Sequence, residues 1–239
     1  MLFFYVRHGD PIYNPDSLTP LGERQAEAVA RRLALYGIDE IYASTSNRAI
    51  LTAKPTAELC KKEIVELDFA NESHAWETFT FEAKNPPRKT FMFHAEEVWE
   101  AFHSKEILDL GYEWYKHPLF EGYPYKEGIE RVQKASDEFF ESLGYKHEGH
   151  GRYKVVARND KRVALFAHQG FGMAFIPSML GLPYPLFATH FDFSHSSMTV
   201  IRFDEADGYA YPRVLTLSND SHIYRDGLPN KYNGSSTRF

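Results

Sequence analysis

The chain has 239 residues, of which 27 are basic and 33 acidic, giving a formal net charge of −6. Its 43% hydrophobic content supplies enough apolar material for a continuous core, which excludes a disordered or fibrous polymer. The acidic balance also argues against a general binder of nucleic acid or anionic membranes, since both attract basic proteins.

No targeting or membrane-spanning segment is evident. The opening apolar stretch, residues 1–6, is too short for a signal-peptide hydrophobic region and has no basic segment before it. No run of about 18 apolar residues occurs, so we expect no membrane span. The single cysteine, Cys60, cannot form an internal disulfide, and we expect it to act as a small buried hydrophobic residue. These features favour a cytoplasmic protein.

Strands and helices alternate in the first part of the chain. Residues 2–6 form a continuous apolar run, which is typical of a strand buried on both faces of a parallel sheet. Thr19 followed by Pro20 predicts the start of a helix, and apolar residues at helical spacing extend it over 20–36. Residues 41–43 predict a second strand.

A second helix and a third strand follow. Ser44 or Ser46 can cap the helix. Over 64–69 apolar residues alternate with Glu66 and Asp68, which predicts a half-exposed strand with these carboxylates opposite the apolar face.

Residues 73–125 differ in composition from the rest of the chain. Thirteen of these 53 residues are aromatic, against 24 of the other 186. We interpret the stretch as a cap inserted into a single domain spanning 1–239. It could be a lid that contacts an apolar part of a substrate, or only the core of a small helical unit.

The remaining chain returns to alternating elements. Apolar spacing predicts a core helix over 129–143, and residues 153–157 and 162–167 suggest a hairpin. A helix should follow from Gly170, and 198–203 and 213–217 should form a strand pair. The pattern predicts a three-layer α/β/α fold with a mostly parallel central sheet and some antiparallel edges.

Side chains suited to bind phosphate follow three predicted strands. They are Arg7-His8 after the first strand, Arg48 after the second and His168 after 162–167. In open α/β sheets ligands bind at the carboxyl ends of strands, so these groups could converge. Helix N-termini after Gly9 and Gly170 would add backbone N–H groups. Such a pocket suits a phosphoryl group.

Several short motifs also occur in a fixed order along the chain. They are Arg7-His8-Gly9, Asn14, Leu18-Thr19-Pro20-Leu21-Gly22, Gln25-Ala26, Arg48-Ala49 with Thr52-Ala53, and Phe166-Ala167-His168-Gln169-Gly170. Together they resemble the histidine phosphatase superfamily, also called phosphoglycerate-mutase-like. The resemblance covers most of the chain outside 73–125 and the C-terminal end.

The resemblance implies a phosphohistidine mechanism. His8 would be the nucleophile, because a neutral imidazole attacks phosphorus well near neutral pH. The groups holding the phosphoryl oxygens would be Arg7, Arg48 and His168, with Asn14 and Gln169 nearby. The catalysis would be mostly positioning and electrostatics, so no metal ion and no cofactor would be needed.

A proton donor is needed as well, because the leaving oxygen must be protonated and water later activated. Glu66 lies in a sequence that superficially suits the family's acid, but strand alternation points it sideways. Glu72 follows the strand end, and registering the chain from Thr52-Ala53 without gaps brings it to the family's acid position. The resemblance favours Glu72, although residues 73–75 depart from the family pattern.

Other positions depart from the family or match it only loosely. Asp10 stands where many relatives carry Thr or Glu, and Gln169 where a second glycine is common. Asn14 matches a family residue near the phosphoryl group, and His222 resembles a C-terminal element that closes the site. A role in loop ordering is about as plausible for Asn14 and His222 as direct contact.

The remaining histidines raise the question of a metal site. His147 and His150 lie three residues apart, and His190, Asp192 and His195 are clustered. Spacing alone is weak evidence, and the first pair has no third ligand nearby, so we expect no metal site at either place.

The resulting expectation is a metal-independent phosphomonoesterase acting on a small phosphorylated metabolite. The alternatives are a phosphoglycerate mutase and a non-catalytic protein that binds a phosphorylated ligand. The stretch 73–125 carries 5 basic and 9 acidic residues. This balance of −4 disfavours substrates with several phosphates, so a monophosphate ester is preferred.

Overall fold

The computed structural model describes residues 1–229, which fold into a central sheet with helices on both faces. The strands, in chain order, are β1 (Leu2–Arg7), β2 (Pro11–Tyr13), β3 (Asp16–Leu18), β4 (Glu40–Ser44), β5 (Ile64–Leu67), β6 (Thr80–Lys84), β7 (Pro87–Phe91), β8 (Tyr145–His147), β9 (Tyr153–Val155), β10 (Arg162–Ala167), β11 (Met198–Ala206) and β12 (Tyr209–Asn219). The helices are α1 (Pro20–Tyr36), α2 (Asn47–Cys60), α3 (Glu72–Thr78), α4 (Glu96–Phe102), α5 (Lys105–Leu110), α6 (Tyr125–Ser142), α7 (Gln169–Leu180), α8 (Tyr184–Ala188) and α9 (Ser221–Arg225). None of the helices in residues 1–229 is both long and apolar enough to cross a membrane.

The main sheet has the strand order β5-β4-β10-β1-β11-β12-β9-β8. The four strands from β5 to β1 are parallel, whereas β11, β12, β9 and β8 each pair antiparallel with the strand before them in this order. The predicted α/β class is confirmed, with a mixed sheet. Because β1, β4 and β10 are parallel, the residues after them lie at the same end of the sheet, beyond the carboxyl ends of the strands.

The two faces of β1 enter separate parts of the core, as its unbroken apolar sequence predicts. Phe3 and Tyr5 pack against α6 and α7, with ring-centroid distances of 5.4 Å from Phe3 to Phe140 and 6.0 Å from Tyr5 to Phe175. On the other face, Phe4 and Val6 pack against α1 and α2. The sheet is therefore the middle of three layers.

Helix α1 begins and ends as the sequence indicates. The Thr19 hydroxyl accepts a hydrogen bond from the backbone N–H of Gly22 at 3.0 Å, and Gly37 ends the helix with φ of 71°. Gly22 is also required by space, because a Cβ there would lie 2.2 Å from the carbonyl oxygen of Asp10. This close approach packs the loop after β1 against the start of α1.

The hairpin predicted from residues 153–157 and 162–167 is wrong. Strand β9 pairs with β8 and β12, whereas β10 lies between β1 and β4. The segment between β9 and β10 is a loop that crosses to another part of the sheet. It is held by the Asn159 side chain, which donates to the carbonyl of Leu143 at 2.8 Å. The turn residues thus connect opposite parts of the sheet.

The predicted strand over 64–69 is shorter than expected, and its apolar face is incomplete: Leu67 and Phe69 pack against the core, but Val65 does not. The strand ends at Leu67, and Asp68 to Ala70 form a 3-10 turn. Val65 is 52% exposed and Glu66 is exposed as well. Among the residues that the structure describes, strand β5 pairs with β4 alone and lies at the edge of the sheet, where Val65 and Glu66 reach solvent.

Residues 73–125 form the β6–β7 hairpin, most of α3, helices α4 and α5, and three 3-10 turns. Their aromatic side chains pack on α6 and α8: the ring centroid of Trp114 lies 5.2 Å from that of Tyr184 and 5.5 Å from that of Tyr125. These rings belong to the same hydrophobic cluster as Phe3 and Tyr5. The stretch therefore shares its apolar core with the sheet.

Candidate active site

The carboxyl ends of the parallel strands open into a cleft of about 1270 Å³. Five residues that the sequence predicts for the catalytic and phosphate-binding site line it: Arg7, His8, Arg48, Glu72 and Gln169. We call the group formed by Arg7, His8, Arg48 and His168 the phosphoryl cup.

His8 follows β1 and is buried at the floor of the cleft. Its Nδ1 lies 2.7 Å from the carbonyl oxygen of Gly9, so Nδ1 carries the hydrogen and Nε2 keeps its lone pair. Burial lowers the pKa of His8 well below its usual range, and the nearby His168, Arg7 and Arg48 lower it further. The imidazole is therefore neutral and nucleophilic near neutral pH.

Arg7 is held at both ends of its guanidinium group. Nη1 donates to the carbonyl oxygen of Phe193 at 2.5 Å, and Nη2 donates to Nε2 of His195 at 2.9 Å. Because Nε2 of His195 accepts, the hydrogen of that ring is on Nδ1, which faces a carboxylate oxygen of Asp10 at 3.7 Å. The ring of His195 also lies 5.5 Å from that of His8.

Arg48 reaches the cup from the first turn of α2. Its Nη1 donates to a carboxylate oxygen of Asp16 at 2.8 Å, and the guanidinium lies 5.5 Å from the ring centroid of Tyr13. Both partners come from the β2–β3 hairpin, which thus sets the direction of the side chain.

His168 follows β10 and lies behind His8, with 5.1 Å between the two ring centroids. Its Nε2 is 2.8 Å from the hydroxyl of Ser44 at the end of β4. Its Nδ1 is buried and has no hydrogen-bond partner among the residues that the structure describes. Burial lowers the pKa of His168 well below its usual range, and Arg48 and Arg7 act in the same direction.

Glu72 begins α3 and faces the N-terminus of α7. Its two carboxylate oxygens accept hydrogen bonds from the backbone N–H groups of Gly170 and Phe171, each at 2.9 Å. Burial raises the pKa of Glu72, although these hydrogen bonds and the cup arginines oppose the shift. A Cβ on Gly170 would lie 2.9 Å from the carboxylate, so glycine allows this approach.

Two details of the predicted anion site are therefore corrected. The N–H groups at the start of α7 are used by Glu72, which leaves them unavailable to a phosphoryl group. No helix follows Gly9, because α1 starts only at Pro20 and the N–H of Gly9 donates to the hydroxyl of Thr52 at 3.0 Å. The phosphoryl cup consists of side chains.

The structure separates the other predicted residues. Glu66 is exposed on β5 and does not line the cleft, unlike Glu72. Asn14 is exposed at the tip of the β2–β3 hairpin and also lies outside the cleft lining. Gln169 lines the cleft and its amide donates to a carboxylate oxygen of Asp192.

Histidines that the sequence did not place in the site approach it from loops. His195 contacts the cup, as described, and His94 lines the cleft from the 3-10 turn after β7. Burial lowers the pKa of His94; Asp192 opposes this shift, whereas Arg7 lowers the pKa further. No local motif marks either residue, because both come close to His8 only through tertiary packing.

The sequence offers two groups of candidate metal ligands, His147 with His150 and His190 with Asp192 and His195. Within residues 1–229 no group of three or more His, Cys, Asp or Glu side chains is arranged to hold an ion. His147 is 2.9 Å from Asp137. His222 lies outside the cleft lining, with its Nε2 3.1 Å from the hydroxyl of Ser196, whose N–H donates to the carbonyl of His8.

A family model described as the histidine phosphatase superfamily, branch 1, matches residues 3–213. The chain belongs to the histidine phosphatase superfamily. The probable phosphoglycerate mutase GpmB of Yersinia enterocolitica is 41% identical to this superfamily member over 71 residues. That match covers 26% of this chain and only 33% of the relative's own length.

Solved structures share the fold along nearly the whole chain. A phosphoserine phosphatase from Entamoeba histolytica, in complex with phosphoserine, aligns with a TM-score of 0.60 at 18% identity, covering 93% of this chain and 98% of the other. A mycobacterial glucosyl-3-phosphoglycerate phosphatase aligns with a TM-score of 0.58 at 19% identity, covering 91% and 98%. At these identities the likeness concerns the fold.

Proposed function

We propose that this superfamily member is a phosphomonoesterase that hydrolyses a small phosphate monoester through a phosphorylated His8. The observation that carries the proposal is the geometry of His8: its imidazole is buried and its Nδ1 donates to the carbonyl oxygen of Gly9, so the lone pair lies on Nε2. The lowered pKa of His8 favours the neutral, nucleophilic form. Arg7 and Arg48 beside it supply the positive charge that a phosphoryl group requires.

In the first step, Nε2 of His8 forms a bond to phosphorus while the bond from phosphorus to the ester oxygen breaks. The cup arginines stabilise the negative charge on the other phosphoryl oxygens. Glu72 gives its proton to the leaving oxygen, so an alcohol departs. The raised pKa of Glu72 keeps this carboxyl group protonated at higher pH than an exposed glutamate would be.

In the second step, the Glu72 carboxylate takes a proton from water. The water oxygen attacks phosphorus, the bond to Nε2 breaks, and inorganic phosphate leaves. This restores neutral His8 and protonated Glu72. No metal ion takes part in the proposed sequence, so activity should survive treatment with EDTA.

The phosphoenzyme provides the direct test. Brief incubation with a ³²P-labelled monoester should label the protein, and the label should be lost in acid and kept in base, as expected for phosphohistidine. His8→Ala should abolish both labelling and turnover. His150→Asn is a matched control, because His150 is exposed outside the cleft and its φ of 52° suits asparagine. Full phosphatase activity in His8→Ala would refute the assignment.

A phosphoglycerate mutase is the second candidate, because the curated relative matched over 71 residues carries that name. A mutase returns the phosphoryl group from histidine to substrate, whereas a phosphatase transfers it to water. Free phosphate and phosphate transfer should therefore be measured in parallel over a panel of phosphorylated metabolites. Release of phosphate without transfer between positions of phosphoglycerate would support the phosphatase.

A further inference from the structure

The cleft is much larger than the cup at its floor. The cleft has a volume of about 1270 Å³ and is lined both by residues of the cup and by residues of the stretch 73–125. Because a phosphoryl group fills only a small part of this volume, the remaining space is available to the alcohol part of a substrate.

Four aromatic side chains from that stretch line the cleft: Trp76, Phe91, Phe93 and Trp99. We call them the aromatic wall. Trp76 meets Phe91 edge to face at 5.0 Å, and Phe91 stacks on Phe93 at 5.2 Å. The indole N–H of Trp99 donates to the carbonyl of Phe93 at 2.7 Å. These contacts hold the rings in place before any ligand arrives.

The wall offers apolar surface that the protein itself does not cover. Trp76 is 41% exposed and Trp99 is 43% exposed, although tryptophan in this chain can be fully enclosed, as Trp114 is. Exposed rings that face a cleft beside a reactive centre are typical of ligand pockets.

The wall also begins beside the proton donor. A Cβ on Gly170 would lie 2.4 Å from the Phe91 ring and 2.9 Å from the carboxylate of Glu72, so both groups contact the same backbone position. Glu72 must reach the leaving oxygen in the proposed reaction. The part of the substrate next to that oxygen is therefore brought against Phe91 and then Trp76.

We propose that the substrate is a phosphate monoester whose alcohol part carries an aromatic ring within a few bonds of the ester oxygen. The inference rests on the proposed function of the cup. A planar ring of the substrate can stack on the rings of the wall or meet them edge to face, at the distances seen between the wall's own rings. Such aromatic pairs add binding free energy beyond that of burying the same apolar area.

Benzyl phosphate and cyclohexylmethyl phosphate form a matched pair for the test. Both release a primary alcohol through a methylene group and have similar size, but only the first has an aromatic ring. We expect kcat/KM of the wild type to favour benzyl phosphate by about two- to tenfold, the range expected for an aromatic pair. Trp76→Leu should bring the ratio close to one. Tyr211→Leu, at an exposed ring outside the cleft, should leave it unchanged.

Binding of the two corresponding phosphonates, measured by calorimetry, separates the two proposals. Equal turnover of both esters by the wild type would overturn the aromatic preference and leave the phosphatase intact. Tighter binding of benzylphosphonate without turnover of either ester would support the ring site and refute the proposed reaction. Neither turnover nor binding would refute both. The wild-type ratio decides the inference even if Trp76→Leu does not fold.

Discussion

Replacing Glu72 by glutamine tests proton donation with little change of shape. Glutamine has the same length as glutamate but has no acidic proton. In the structure the carboxylate accepts two backbone N–H groups, from Gly170 and Phe171, each at 2.9 Å. The amide oxygen of glutamine can keep one of these bonds, whereas its NH₂ group cannot accept the other. The expected loss of folding stability is therefore about one hydrogen bond, on the order of 1 kcal/mol.

The expected kinetic loss is larger and depends on the leaving group. General acid catalysis contributes about 10²- to 10⁴-fold, so kcat/KM for an alkyl phosphate should fall by roughly that factor. The same constant for 4-nitrophenyl phosphate should fall only a few-fold, because nitrophenolate needs little protonation. The comparison uses kcat/KM because hydrolysis of the phosphoenzyme is common to both substrates and also needs Glu72. In kcat this shared step would hide the difference.

The pH dependence gives a second readout of the same group. Since the proposed first step needs Glu72 protonated and burial raises its pKa, kcat/KM for the alkyl ester should decrease as pH rises through that pKa. The Glu72→Gln variant should lose this decrease. Glu66→Gln is the matched control at an exposed position outside the cleft and should behave as wild type. Equal losses for both substrates in Glu72→Gln, or a selective loss in Glu66→Gln, would refute the reasoning.

Three further predictions follow from the contacts of the cup. Burial lowers the pKa of His168 below its ordinary 6.5, so the folded state favours the neutral imidazole. This contribution to stability is complete above pH 6.5 and is lost as pH falls toward the folded-state pKa. Urea midpoints should therefore drop over this range, and less steeply in His168→Gln. Gly170→Ala would place a Cβ against both the Phe91 ring and the Glu72 carboxylate, so it should displace both and reduce kcat/KM for alkyl esters more than for 4-nitrophenyl phosphate. His195→Ala removes the acceptor of an Arg7 hydrogen bond and should weaken inhibition by vanadate about tenfold, the effect of roughly one charge-assisted hydrogen bond; unchanged inhibition would contradict this role.

The cup could be predicted from the sequence because its parts are local. Arg7 is the last residue of the buried strand β1, His8 and His168 directly follow β1 and β10, and parallel strands bring their ends together whatever the loops do. Arg48 is placed in the same way, because α2 starts shortly after the end of the parallel strand β4. The role of His195 could not be predicted, since its neighbours Arg7 and Asp10 lie far away in sequence and only packing of the loop before β11 brings them together.

Net charge was a poor guide to the cleft. The stretch 73–125 has a balance of −4, which predicted a surface unfavourable to further anionic groups. In the structure two of its basic residues, Arg88 and Lys89, line the cleft, whereas Glu77 alone among its acidic residues does so in the described chain. The other carboxylates face elsewhere. The net charge of a whole segment says little about the charge of the face that lines the cleft. The balance of −4 therefore does not decide how many phosphates a substrate carries.

The position of Glu72 joins two parts of the molecule that the sequence keeps apart. Its backbone starts α3, at the entry to the stretch 73–125, while its carboxylate is bound at the N-terminus of α7, next to the cup. Phe91 presses on the same point of α7 from the end of β7. A shift of this stretch would therefore move the acid relative to the leaving oxygen, while Arg7 and Arg48 stay fixed by their own partners. In the proposed reaction, phosphoryl binding and proton donation are thus set by different contacts, so a change in the aromatic wall should alter turnover of alkyl esters without weakening the binding of inorganic phosphate.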